Sequence, residues 1–349
     1  MKKFFMALAA VAMVATSCVQ GDDDFAVKGP QKSVQFSLAN VITSRGVDAP
    51  IENATKVNLK NYQVFFVGSD GTLYSGKDVD GGTVSHYFET APTEVQTFHF
   101  LPAAVAKVVV VGNYGSKITA TKLDDIKAIA TTWENQQDDE NLLVYGEAEL
   151  EPAAANDQHA NTYKAVVNVK PLVARIEIGG FVCGFSDTPA YDQVKVTMVA
   201  LNNYHANATV GGEVSNLKNE TINTNTAYPF FNADAPADSK DVVSGVVLTK
   251  TAPSHNFDTD SYLVYHTFAG TVPQLVVRVT GVKGSVESPL YLATNGFKQD
   301  GVSVTEFKPG TIYRMNFAFA DTALAQPEKC VEVSIEAAEW VIVNVTPEF

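Results

Sequence analysis

The chain has 349 residues, 25 of them basic and 39 acidic, for a formal net charge of −14. That balance argues against nucleic acid and anionic membrane surfaces as partners, because like charges repel. Beyond residue 17 no stretch is apolar enough to span a bilayer, and the remaining length exceeds one compact core, so two domains are expected.

The N-terminus carries its own signal. Lys2 and Lys3 precede an apolar run from Phe4 to Ala15, which is too short for a membrane span and ends in Ala15-Thr16-Ser17-Cys18. Small residues before a cysteine fit the narrow site of a lipoprotein signal peptidase. Residues 1–17 therefore read as a cleaved signal peptide and Cys18 as the lipid-attachment point. Ala15 stands where the strict motif has Leu, and an ordinary secretory signal with an incidental cysteine is the competing reading. Asp22-Asp23-Asp24 follows as either a sorting signal or a solvated tether.

Strand-like runs, rich in Val, Ile, Tyr, Phe and Thr and separated by turn residues, then fill most of the chain. In order they are Val34 to Leu38, Tyr62 to Val67, Val95 to Leu101, Val108 to Val111, Tyr163 to Val169, Leu172 to Ile178 and Val194 to Leu201. Val242 to Leu248, Tyr262 to Phe268, Leu275 to Thr280, Ile312 to Phe319 and Val331 to Val345 complete the series. Gly68-Ser-Asp-Gly71 reads as a hairpin turn. One helix is expected after Thr121, with Asp124 closing a capping box and Leu123, Ile126, Ile129 and Ala130 on one face. Asn202 to Lys240 reads as extended loops with at most short strands. The fold class is all-β, with two tandem β-sandwiches and short helical insertions. The boundary falls near residue 170, giving 46–169 and 170–349 as the two sandwiches after an 18–45 propeptide.

No catalytic, metal-binding or cofactor-binding constellation emerges. The six histidines are scattered, and no HExxH, GxSxG, phosphate loop or GxGxxG is present. His99 and His266 lie in strand runs and read as partly buried sheet residues. Asp138-Asp139-Glu140 is either a weak calcium site or a solvated loop tip. Cys183 and Cys330 are compatible with a disulfide or with two buried thiols.

Arginine usage says more. Arg175, Arg278 and Arg314 lie inside strand runs, where backbone pairing keeps a protease out, whereas Arg45 lies in Ile-Thr-Ser-Arg45-Gly46-Val between two strands. An arginine-specific protease would then cut the bond from Arg45 to Gly46, the competing reading being a loop arginine with no such role. Ahead of that bond, Val34, Phe36 and Leu38 alternate on one strand face, so the cut would release a core strand and open an apolar groove. At the other end, Val341, Val343 and Val345 alternate on an apolar strand. That strand either closes its own domain or is donated to a neighbour. A groove at one end and a spare strand at the other describe a head-to-tail polymer that does not close on itself.

Several fragments, in this order, carry a resemblance: the lipoprotein signal, the early Arg45, Phe100-Leu-Pro-Ala-Ala and Lys107-Val-Val-Val-Val-Gly-Asn113. Leu172-Val-Ala-Arg-Ile-Glu-Ile178, Tyr262-Leu-Val-Tyr265, Lys308-Pro-Gly-Thr-Ile-Tyr313 and Glu339-Trp340 follow. The chain resembles the fimbrillin family of Bacteroidota, the subunits of type V pili. The resemblance implies transthyretin-like sandwiches, export through the periplasm, and outer-membrane attachment through the Cys18 lipid before cleavage. It further implies strand-exchange polymerisation with identical or related pilin subunits, and a structural role at the cell surface in adhesion and biofilm formation through a host or bacterial receptor. A lipidated anchor or tip accessory pilin is one alternative. A surface glycan-binding lipoprotein is another; it needs an exposed aromatic platform, for which Trp133 and Trp340 are the available tryptophans.

Overall fold

The structure is a computed structural model that describes residues 31–39, 41–43, 56–90, 95–138, 141–153, 161–219, 240–258, 261–324, 331–334, 336–339 and 341–344. The N-terminal half contains β1 (Lys32–Ala39), β2 (Val41–Thr43), β3 (Lys56–Leu59), β4 (Tyr62–Gly68), β5 (Leu73–Tyr74), β6 (Tyr87–Phe88) and β7 (Gln96–Leu101). It continues with β8 (Val105–Gly112), α1 (Leu123–Lys127), β9 (Ala130–Thr132), β10 (Val144–Glu149), β11 (Glu151–Pro152), β12 (Thr162–Asn168) and β13 (Lys170–Pro171). The C-terminal half has β14 (Val173–Gly184), β15 (Gln193–Asn202), β16 (Tyr204–Thr209), β17 (Val214–Lys218), β18 (Lys240–Val242), β19 (Val247–Thr249), β20 (Ser254–Asn256) and β21 (Leu263–Phe268). Then come β22 (Gln274–Lys283), β23 (Val286–Gln299), β24 (Val302–Ser303), β25 (Thr311–Ala320), α2 (Asp321–Leu324), β26 (Val331–Ser334), β27 (Glu336–Glu339) and β28 (Val341–Asn344).

In the N-terminal half a sheet ordered β11-β12-β1-β7 faces a sheet ordered β13-β10-β8-β4-β5. Alternation puts Val34, Phe36, Phe98, Ala165 and Val167 of the first against Val64, Phe66, Val108 and Val110 of the second, all buried in one core. The other face of the second sheet is also covered. Phe65, Val67, Val109 and Val111 pack beneath Ile118, Leu123 and Ile126. Cover on both faces explains why Val108 to Val111 is an unbroken apolar run. The turn between β4 and β5 closes as a hairpin, with Gly71 N–H on Gly68 O at 2.9 Å and Gly71 at φ +81°.

In the C-terminal half β20-β14-β25-β27 and β18-β15-β22-β23-β24 form the two sheets, with β21 beside β14 and β26 beside β23. β13 still pairs with β10, and β14 opens the second pair of sheets, so the partition of sheets falls between Pro171 and Val173. The halves are stitched by main chain. β9 pairs with β16, Trp133 is fully buried, and its Nε1 donates to His266 O at 2.7 Å.

Two local expectations change. The helix carries its capping carboxylate one residue later: Asp125, not Asp124, accepts from Lys122 N–H at 3.0 Å and Thr121 N–H at 3.1 Å, and Ala130 is exposed in β9. The helix lasts barely more than one turn, so only Leu123 and Ile126 are buried by it. Within 202–240 the short strands β16 and β17 pair as a hairpin whose Tyr204, Ala206 and Ala208 are buried. Finally, the strand-like run 331–345 is divided among three sheets. β26 joins β23, β27 joins β25, and β28 lies between β2 and β3.

Candidate functional site

β1 occupies the middle of its sheet. It runs parallel to β12 from Ser33↔Thr162 to Ala39↔Asn168 and antiparallel to β7 from Lys32↔Leu101 to Phe36↔Gln96. Val34 and Phe36 are fully buried, and Leu38 is partly buried against the same core. The Phe36 ring lies 6.3 Å from Tyr62, which stacks on Phe88 at 4.9 Å, while Phe66 meets Phe98 edge-on at 4.9 Å. The Tyr62 hydroxyl is buried with no hydrogen-bond partner among the described residues, and burial pushes its pKa up. Burying Val34 and Phe36 contributes about 1.5–3 kcal/mol each. Taking β1 away would leave the edges of β12 and β7 about 10 Å apart, two strand spacings, with unpaired N–H and C=O groups on both.

The start of β1 is held by polar contacts. Ser33 N–H donates to Asn161 O at 2.9 Å, and Lys32 Nζ donates to Val105 O at 2.8 Å while lying 4.6 Å from the Tyr163 ring centre. Desolvation holds the Lys32 ammonium below its ordinary pKa. The register against β7 slips between Lys32 and Val34, so Ser33 faces two residues, His99 and Phe100. Phe100 takes φ +58°, a strained conformation for an aromatic residue. The His99 main chain turns to Lys77, with N–H···O bonds of 2.8 and 2.9 Å, while its ring Nδ1 lies 2.9 Å from Ser33 Oγ. Ser33, His99 and Thr162 are all buried. His99 lies in a strand run, as its neighbours in sequence imply, but the bulge comes from pairing between distant segments and has no local signature.

β28 lies apart from both C-terminal sheets. It runs parallel to β2 (Val41↔Ile342 to Thr43↔Asn344) and parallel to β3 (Val341↔Lys56 to Asn344↔Leu59). In sequence, Arg45 and Gly46 fall between β2 and β3. Of the sequence-predicted positions, Val34, Phe36 and Leu38 come together on the β1 core face, and Val341 and Val343 lie in β28. Cys18, Arg45, Gly46, Val345, Cys330 and Trp340 lie outside the described residues.

The remaining candidates take structural places. Arg175, Arg278 and Arg314 lie within β14, β22 and β25. The buried Glu177 carboxylate accepts from Arg175 Nε at 2.7 Å and from Arg314 Nε. Cys183 is buried and unbridged, and burial, with the Asp321 charge adding to it, pushes its thiol up to about 12. Among the described residues no three His, Cys, Asp or Glu side chains gather as a metal site, and no helix is long and apolar enough to cross a membrane. Trp133 is fully buried where the two halves of the chain meet and offers no exposed platform.

Comparison with solved structures matches this arrangement along nearly the whole chain. A fimbrilin from Porphyromonas gingivalis W83 superposes with a TM-score of 0.51 at 13% identity, covering 90% of this chain and 99% of that one. The chain has the fimbrilin fold. A candidate cell adhesion protein from Bacteroides eggerthii shares it with a TM-score of 0.57 at 18% identity over 90% of this chain and 97% of that one. A second, from Parabacteroides distasonis, gives 0.53 at 12% identity over 89% and 97%. No family model and no curated protein sequence matches the chain. The likeness to fimbrilins therefore lives in the fold, and the strands β1 and β28 must be argued from their own surroundings.

Proposed function

We propose that this chain is a structural subunit of a cell-surface fimbria of the type V pilus class. It is exported as a lipoprotein through Cys18, cut after Arg45 by an arginine-specific protease, and polymerised head to tail by strand exchange. Adhesion to a host or bacterial surface follows from the polymer it builds. The observation that carries the reading is the position of β1: a buried, central strand joined through β2 directly to the segment holding Arg45. One cut at Arg45 detaches β1 and β2 together. The first opens the groove, and the second takes away one edge partner of β28. Because β28 belongs to neither C-terminal sheet, its departure leaves those sheets paired as before. Full occupation of the vacated core restores the buried apolar area and satisfies the exposed edges, which is enough to hold a fibre without covalent links.

The test uses the full-length precursor with an arginine-specific protease, followed by electron microscopy. Cut wild-type protein should yield fibres. Arg45→Ala protein should stay folded and monomeric. Fibres from Arg45→Ala protein would remove maturation at this bond from the account.

A further inference from the structure

Resting on the strand-exchange reading, we infer that the incoming C-terminal strand of a second copy enters the groove reversed relative to β1. In this register Thr346 takes the place of Ser33 against His99. The polar end of the groove decides it. Wherever a replacing strand lies, one residue must sit where Ser33 sits, beside His99 Nδ1 and between buried neighbours. That place accepts a small hydroxyl. A large side chain there would clash with the bulge at His99 and Phe100, and an aliphatic one would face a polar ring nitrogen.

The C-terminal sequence reads Trp340-Val-Ile-Val-Asn-Val-Thr346. Laid in the direction of β1 with its three valines inward, it puts Val341 at the place of Val34 and Trp340 at the place of Ser33. An indole does not fit there. With the opposite face inward, Asn344 enters the apolar core without a partner. Reversed, with the valines inward, the match is position by position: Thr346 for Ser33, Val345 for Val34, Asn344 for Gln35, Val343 for Phe36, Ile342 for Ser37 and Val341 for Leu38. Reversal costs no main-chain pairing. β1 has one parallel and one antiparallel neighbour, so turning the strand round exchanges the two ladders and keeps both. The valine pattern forbids a slip of one residue, which would turn the valines outward, and a slip of two would leave the Leu38 place without a valine and put the longer Asn344 in the hydroxyl's place against His99.

Cysteine pairing reads the direction. Val166 of β12 is 56% exposed and stands opposite Ser37 in the register. In a Cys330→Ser background, the full precursor carrying Val166→Cys and Ile342→Cys is cut at Arg45, assembled and oxidised. The expected result is a ladder of disulfide-linked oligomers on a non-reducing gel. A ladder from Val166→Cys with Asn344→Cys instead means the strand enters in the direction of β1, which overturns this inference and leaves strand exchange standing. Fibres with neither ladder overturn the register too. Failure of the unsubstituted cut protein to assemble would sink strand exchange itself, and the register with it. As a second readout, Thr346→Val should release subunits from the fibre about tenfold faster in denaturant, the scale of one lost buried hydrogen bond, and Thr346→Ser should not. Equal release from Thr346→Val and wild-type fibres would overturn the role given to His99.

Discussion

The first and last of the described strands, β1 and β28, are held in opposite ways. β1 pairs on both sides, seven residues deep against β12, and plugs the sandwich with Val34 and Phe36. β28 pairs over three residues with β2 and four with β3, outside the sheets of the domain it follows. A strand that completes a core is costly to remove without a replacement. A strand that only bridges two others can leave while the domains behind it stay folded. On the proposed maturation, one cut at Arg45 would remove the tightly held strand and release one side of the loosely held one. The lesson is that a strand's role follows from what its departure exposes, and apolar alternation alone does not reveal that.

This contrast can be broken most severely by deleting Val341 to Phe349. Polymerisation should vanish, while circular dichroism and sedimentation of the truncated precursor report a folded monomer. Unfolding of the C-terminal half would mean that β28 belongs to the core after all. Next in size, Phe36→Ala in the precursor should cost about 3–5 kcal/mol in urea unfolding. A cost below 1 kcal/mol would say that β1 is not the plug. Ser33→Ala should cost about 1 kcal/mol by the same measurement, because it leaves His99 Nδ1 without the hydroxyl. The smallest effect is in the C-terminal half, away from both strands. The Cys183 thiol, raised to about 12, is protonated in the fold when an unfolded thiol already ionises near 8.5. The raised value means that its stabilising contribution is complete below about pH 8.5 and is lost as pH climbs toward about 12. Cys183→Ala should flatten that alkaline decline slightly, and native protein at pH 8 should resist thiol alkylation.

What could be read from the sequence was what is local. Period-two alternation placed Val34, Phe36 and Leu38 on one face, and β1 turns that face to the core. Strand runs interrupted by turn residues gave an all-β chain, and the fold is built of such sheets. What could not be read was which distant segment each strand would meet. The run 331–345 looks continuous because Val, Ile and Trp recur along it with no Gly or Pro to break it, yet it serves three sheets in turn. The bulge at His99 and Phe100 depends on β1 arriving in a register that neither segment encodes alone. Trp133 gave no sign of being a junction residue, because its partners Tyr204 and His266 lie far along the chain. Arg175 and Arg314 lie in strands whose pairing protects the bonds after them. Their convergence on Glu177 adds a buried ion network that spacing alone could not disclose.

On the proposed maturation the chain enters a fibre only after losing everything up to Arg45. N-terminal sequencing of subunits sheared from the cell surface reads this at the subunit's first residue. A single start at Gly46 is expected. Sheared fibre subunits that begin at the lipidated Cys18, with β1 still in place, would contradict it.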